Sequence, residues 1–252
     1  GVGHARRTLS QRLSASGAPD GLVAENRLIV PFGSDPVVVS QTVLTNRGDK
    51  PLSLSWYEAW GAQMWQMAYG AQGQRRQFQR SQFTTQVEPM SDFFGATTTT
   101  TFVGNSTAPA FGAPGATLWD ESPPTMFLVN AYEHDVTTDV GCSASAFFGM
   151  GGAARPALGM SCGGTRANQA TDAAMILRRN LPLAVGETTE FAFVFGYVPQ
   201  ASAAAAIHSL ITKYAYGATR GNELLTANGQ AWRRDIPALS VEHEPWMGRE
   251  VA

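Results

Sequence analysis

Alternation between large apolar and small or polar residues is the feature that most constrains this chain. In Phe191-Ala192-Phe193-Val194-Phe195-Gly196-Tyr197 every second residue is aromatic. Successive strand side chains point to opposite faces, so the segment reads as a strand with one aromatic face on a core. Leu52-Ser53-Leu54-Ser55-Trp56-Tyr57 repeats the pattern, with Leu52, Leu54 and Trp56 directed inward. Val37 to Leu44 is a β-branched run, and Thr45-Asn46-Arg47-Gly48-Asp49-Lys50-Pro51 carries turn residues. These two pieces predict a hairpin that folds the Val37 run back onto the Leu52 strand. Ala184-Val185-Gly186-Glu187 predicts a second hairpin, joining a strand around Met175 to Leu183 to the aromatic strand.

Between these pairs the chain is rich in Gly, Thr, Ser and Ala, including Thr97 to Thr101 and the run from Ala108 to Ala116. Short strands separated by glycine turns suit a large antiparallel sandwich, in which Phe93, Phe94, Phe102, Trp119, Phe127, Phe147 and Phe148 find burial. After Pro199 the period changes. Ile207, Leu210, Ile211 and Tyr214 follow helical spacing ahead of Gly217, and Leu224, Leu225, Asn228 and Trp232 repeat it before Pro237. The reading is a mainly β chain: an antiparallel β-sandwich domain over residues 1–200, then a helical linker over 201–252 with helices near 201–216 and 221–235.

At 252 residues with 15% charged residues, the chain is long enough for one large β domain or two small ones. Eighteen basic residues against twenty acidic, with no long basic run, give no support for a nucleic-acid or anionic-membrane partner. No apolar stretch approaches the roughly 20 residues that cross a bilayer. The start, Gly1-Val2-Gly3-His4-Ala5-Arg6-Arg7, reads as a processed end or the interior of a longer product, and the tail from Ile236 reads as a lead-in to a further element. Cys142 and Cys162 fit no zinc spacing, and two buried free thiols are favoured over a disulfide. No cofactor and no metal are expected. The compartment stays open between the bacterial cytoplasm and the secreted or periplasmic side.

Functional surface is sought in Trp56-Tyr57-Glu58-Ala59-Trp60-Gly61-Ala62-Gln63-Met64-Trp65-Gln66-Met67, where aromatic rings sit beside amides and a carboxylate. Flat rings with hydrogen-bonding neighbours suit a sugar, whereas a core has no use for the glutamines. Trp56 belongs to the core. From Ala59 the alternation fails, which predicts a loop at the end of the sandwich. Trp60, Gln63, Trp65 and Tyr69 on that loop are candidates for substrate binding or for a domain interface.

No set of residues has the spacing of a catalytic centre. Glu58, Asp120-Glu121 and Glu242/Glu244 could supply two carboxylates, but separation in space decides whether such a pair works, and solvated loop acids is the favoured reading. His134 and Asp135 beside Glu133 would alternate faces in a strand rather than converge on a metal. Gly141-Cys142-Ser143-Ala144-Ser145 is no nucleophile elbow, and Gly149 to Gly152 lacks the Lys-Ser/Thr pair of a phosphate loop and reads as a turn.

Three motifs together resemble a known family. They are V-x-x-x-V-L-T-N-R-G-D-x-P-L-x-L-x-x-Y-E-x-W from Val39 to Trp60, F-F-G from Phe147 to Gly149, and L-x-x-G-E-T-x-E-F-x-F-V-F-G-Y from Leu183 to Tyr197. With the helices that follow, they resemble the amino-terminal supersandwich and linker of cellobiose phosphorylase-type glycoside phosphorylases and related hydrolases. A galactose-mutarotase-like sandwich from another carbohydrate enzyme is the alternative relative. The resemblance implies an (α/α)6 catalytic domain or chain as partner, an oligosaccharide substrate and a general acid on the barrel. No catalytic residue therefore transfers to this chain. A stand-alone glycan- or protein-binding module is the second functional reading, and a homo-oligomer stays open.

Overall fold

The computed structural model describes residues 4–9, 20–62, 83–103, 123–131, 139–160, 162, 172–214 and 220–235. Among them ten strands form two antiparallel sheets. The larger sheet orders β1 (His4–Leu9), β2 (Leu22–Ile29), β3 (Val37–Asn46), β10 (Thr188–Val198), β7 (Thr125–Asn130), β6 (Gly95–Phe102) and β5 (Phe83–Pro89). The smaller orders β4 (Leu52–Gly61), β9 (Ala173–Leu183) and β8 (Asp139–Ser143). Helix α1 (Ala144–Phe148) follows β8, and helices α2 (Ala203–Tyr214) and α3 (Arg220–Asp235) follow the last strand.

The strands lie where the alternation puts them, but neither expected hairpin forms. β3 pairs with β2 and β10, whereas β4 pairs with β9, so the 47–51 turn carries the chain from one sheet to the other. The turn between β9 and β10 makes the return crossing. The physical reason is that period-two burial specifies which face of a strand is apolar and says nothing about which strand lies beside it. The aromatic face of β10 and the Leu52, Leu54 and Trp56 face of β4 meet across the sandwich, not within one sheet. Trp56 lies edge-on to Phe191 with ring centroids 5.5 Å apart.

Asn46, fully buried at the end of β3, ties the two crossings together. Its side-chain amide donates to the carbonyls of Lys50 (2.8 Å) and Leu183 (3.2 Å), and its Oδ1 accepts from the Gly48 N–H (3.0 Å). Its backbone N–H donates to the Glu187 carbonyl, and its carbonyl accepts from the Gly186 N–H. A third turn is pressed onto this corner. Gly21, at φ 84°, leaves so little room that an added Cβ would stand 2.4 Å from the Gly48 nitrogen.

Phe191, Phe193, Leu128, Leu177 and Leu183 fill the space between the sheets, each such side chain contributing roughly 1.5–3 kcal/mol on burial. The outer face of the large sheet, including Val37, Val39, Phe127 and Val194, is covered by Ile207, Ile211 and Tyr214 of α2. Helix α3 is tied to the loop after β2. Asn228 donates to the Val30 carbonyl and accepts from the Phe32 N–H, and Trp232 lies edge-on to Phe32 at 5.1 Å. Of the phenylalanines expected inside, Phe127 and Phe147 are buried, but Phe94 is half exposed. Trp119 lies outside the described residues.

Cys142 and Cys162 form a disulfide, which corrects the expectation of two free thiols. A spacing of 20 residues shows no metal pattern, but it cannot reveal that the chain after α1 returns to the end of β8. The closed loop contains Phe147, which packs with Ala174 and Ile176 on the outer face of the small sheet.

Two outcomes follow from these contacts. Asn46→Ala is expected to lower unfolding free energy by about 2–5 kcal/mol, because three backbone groups, the Leu183 carbonyl buried among them, lose a partner at once. A loss under about 1 kcal/mol in urea titration would show that backbone pairing alone holds the corner. Reducing the disulfide is expected to lower the urea midpoint by an amount equivalent to about 2–4 kcal/mol, with no change in a Cys142→Ser/Cys162→Ser variant on adding reductant.

Candidate functional site

Strand β4 continues through Gly61, so Trp60 stands in the strand and not on a loop. Residues of even number from Leu52 to Trp60 share the inner face, which places Glu58 between Trp56 and Trp60 inside the sandwich. Trp60 stacks on Phe195 with centroids 4.3 Å apart and planes 10° from parallel. Its indole N–H donates to Glu58 Oε1 at 2.8 Å, and the Trp56 N–H reaches Glu58 Oε2 at 3.4 Å. Ser40, on the facing surface of β3, also hydrogen-bonds the carboxyl group. Asn26 in turn donates to Ser40 Oγ (3.2 Å) and Thr42 Oγ1 (3.0 Å).

Glu58 is therefore not a solvated loop acid: only 8% of it is exposed. Burial raises its pKa above the ordinary glutamate value, and the hydrogen bonds from Trp60, Ser40 and Trp56 only partly oppose that rise. Among the described residues no second carboxylate joins these partners, so they assemble no pair of the kind glycoside cleavage requires. Tyr57 points to the other side of β4, against Phe147 at 5.3 Å. Gln63, Trp65 and Tyr69 lie outside the described residues. The sequence signal for Glu58 was available, since it shares the even register of Leu54 and Trp56, but a carboxylate is normally read as exposed.

The remaining chemical candidates resolve into structural roles or lie beyond the described residues. Ser143 caps α1: its Oγ accepts from the Ala146 N–H at 3.1 Å and donates to Asp172 at 2.7 Å. Gly149 to Gly152 belong to a 3-10 turn, Gly149–Ala154, containing two glycines at positive φ. Asp120, Glu121, Glu133, His134, Asp135, Glu242 and Glu244 are outside the described residues. Near the helices, Asp35 pairs with Lys213 and accepts from the Tyr214 hydroxyl at 2.6 Å, and these bonds hold its pKa below the usual carboxylate value.

A second concave surface lies elsewhere. A groove of about 440 Å³ runs between the β5–β6 turn and α2, lined by Ser91, Asp92, Phe93, Thr99, Gln200 and His208 among others. Phe93 and His208 are in ring contact with each other on its wall, centroids 5.5 Å apart and planes 53° from parallel.

Two antiparallel sheets with their crossings at one corner, an aromatic interlayer and two closing helices define the class of large β-sandwich proteins. The family model described as "Glycosyl hydrolase 94, supersandwich domain" matches residues 14–216, and the chain belongs to that family. A search of curated proteins finds none that matches. Among solved structures, the chain is similar to one described as "Putative kojibiose phosphorylase from human microbiome", at 9% identity and a TM-score of 0.48, covering 92% of this chain and 23% of that one. It is also similar to a polysaccharide lyase at 14% identity and a TM-score of 0.36, covering 72% of this chain and 21% of the other. The chain thus spans under a quarter of the length of each.

The buried carboxylate generates a pH prediction with a definite sign. A glutamate whose folded pKa lies above its unfolded value contributes stability that is fully present below the unfolded value and is lost as pH rises through the folded one. Thermal midpoints of the wild type should accordingly fall from about pH 4.5 upward relative to Glu58→Gln, whose amide keeps an acceptor for the indole N–H groups. Parallel midpoint curves for the two proteins would remove Glu58 as the group responsible.

Proposed function

We propose that this chain is the non-catalytic β-sandwich part of a glycoside phosphorylase or hydrolase acting on oligosaccharides, and that it supports and helps line the active site of an (α/α)6 barrel. The observation that carries the reading is membership of the glycosyl hydrolase 94 supersandwich family across residues 14–216. The arrangement around Glu58 is consistent with it: the most buried carboxylate among the described residues is enclosed by two indoles and a serine and faces no reacting group.

In this reading the domain boundary falls near residue 200, and the segment after β4 does the lining. Trp60 fixes the end of the strand by stacking on Phe195, and Gln63, Trp65 and Tyr69 follow it in sequence. Rings and amides there would stack on and hydrogen-bond a sugar at the seam with the barrel.

The test has two arms. The 252-residue chain is expected to show no turnover of a disaccharide panel with phosphate or with water as acceptor; turnover that Glu58→Gln abolishes would overturn the proposal. In the assembly with the barrel, Trp65→Ala is expected to lower kcat/KM at least about tenfold with an unchanged Tm. Trp60→Ala should instead cost about 3–5 kcal/mol of stability by opening a cavity. A Trp65→Ala enzyme with wild-type kcat/KM would exclude the lining role.

A further inference from the structure

The groove between the β5–β6 turn and α2 has no part in the role proposed above. Its volume of about 440 Å³ falls within the range of roughly 300–1,000 Å³ for small-molecule sites. Its walls are mixed in a particular way. Ile207 and Met90 give it an apolar base, Phe93 and His208 supply rings, and Ser91, Asp92 and Gln200 provide hydrogen-bonding groups at the rim. Asp92 Oδ1 accepts from Ser91 Oγ at 2.9 Å, and its second oxygen adds acceptor capacity for a ligand.

Two exclusions narrow the ligand. Among the described residues no lysine or arginine lines the groove, and a carboxylate does, so a phosphate or other anion finds no countercharge among them. Hydroxyl, amide, imidazole and carboxylate groups around the rim make a purely apolar ligand a poor match, because it would cover them without offering hydrogen bonds.

The groove also continues onto the sheet. Thr97 pairs with Glu88, Thr99 with Gln86 and Thr101 with Thr84, and directly opposed residues share a face. All six are polar and none is basic, while Ala96 and Val87 on the opposite face enter the interlayer core. Gln86 Nε2 donates to Glu88 Oε1 at 2.7 Å, which orients one amide along the strip. Five successive residues, Thr97 to Thr101, span roughly 14 Å of strand. That is longer than one pyranose ring, and the surface offers alternating donors and acceptors at the edge of the sheet.

We infer that this groove and the threonine face of β5 and β6 form a saccharide-binding site, taking a neutral oligosaccharide with one ring seated against Phe93 and His208 and the next units lying along Thr97, Thr99 and Gln86. Its residues are other than those of the Trp60 to Tyr69 segment, and the inference stands whether or not that segment lines a catalytic cleft. A neutral sugar has apolar ring faces for Phe93 and vicinal hydroxyls for Asp92, which is the combination the groove presents.

The experiment is amide chemical-shift mapping on the 252-residue chain with cellotetraose, maltotetraose, laminaritetraose and inorganic phosphate as separate probes. At least one saccharide is expected to shift resonances within 86–99 and 200–208, and phosphate to shift none of them. Phe93→Ala should weaken binding roughly three- to tenfold. Thr99→Asp and Asp92→Asn, at exposed positions that leave the core intact, should weaken it as well. Absence of saccharide-dependent shifts in these segments, equal affinity in the Thr99→Asp and Asp92→Asn variants, or displacement of the sugar by phosphate would each overturn the assignment.

Discussion

The sandwich depends on one corner, where the chain passes between sheets twice within a few ångströms. β3 must leave the large sheet and β4 must enter the small one, while β9 and β10 make the reverse passage beside them. Each passage removes backbone groups from a ladder, and those groups need partners elsewhere. A single buried asparagine supplies them. Asn46 bonds the Lys50, Leu183 and Gly48 backbones through its side chain and the Gly186 and Glu187 backbones through its own peptide groups. With the corner fixed, β4 lies over β3 and β10 in one register, and the aromatic faces of both layers meet.

That register explains why an acidic residue can sit inside. Once Trp56 is set against Phe191 and Trp60 against Phe195, the residue between them on the same face is largely shut off from solvent. A leucine at that position would leave two indole N–H groups and Ser40 without acceptors in the interlayer. Glu58 gives them one, at the cost of a carboxyl group whose charged form is disfavoured by burial. The same arrangement pins the last residues of β4.

Faces were legible in the sequence, and partners were not. Alternation located β3, β4, β9 and β10 and the inward side of Leu52, Leu54 and Trp56, and the change to a helical period located α2 and α3. Nothing in Thr45 to Pro51 distinguishes a turn within a sheet from a turn between sheets, since both need the same glycine, asparagine and proline. The disulfide was hidden for a related reason: its two cysteines meet only because α1 and the turn after it bring the chain back to β8. The groove beside Phe93 was equally invisible, because it combines a turn at residues 89–93 with a helix more than a hundred residues later. The threonine run did show, as strand grammar, and only the pairing of β5 with β6 turns it into a continuous polar face.

The aromatic stretch that opens at Trp56 divides at the end of β4. Trp56 and Trp60 serve the interlayer, and their spacing of four residues is the strand period taken twice. Beyond Ala62, which is buried and donates its N–H to the Ala173 carbonyl, that period no longer governs the order of Gln63, Met64, Trp65, Gln66 and Met67. One composition thus joins two physical demands. The first half needs rings with a single N–H each, because a buried carboxylate is there to accept them. The second half mixes rings with amides that have both donors and acceptors, and such groups gain most where the opposing surface is itself rich in hydroxyls. In the function proposed above, the stacked Trp60 would serve as the anchor ahead of the glutamine-bearing segment.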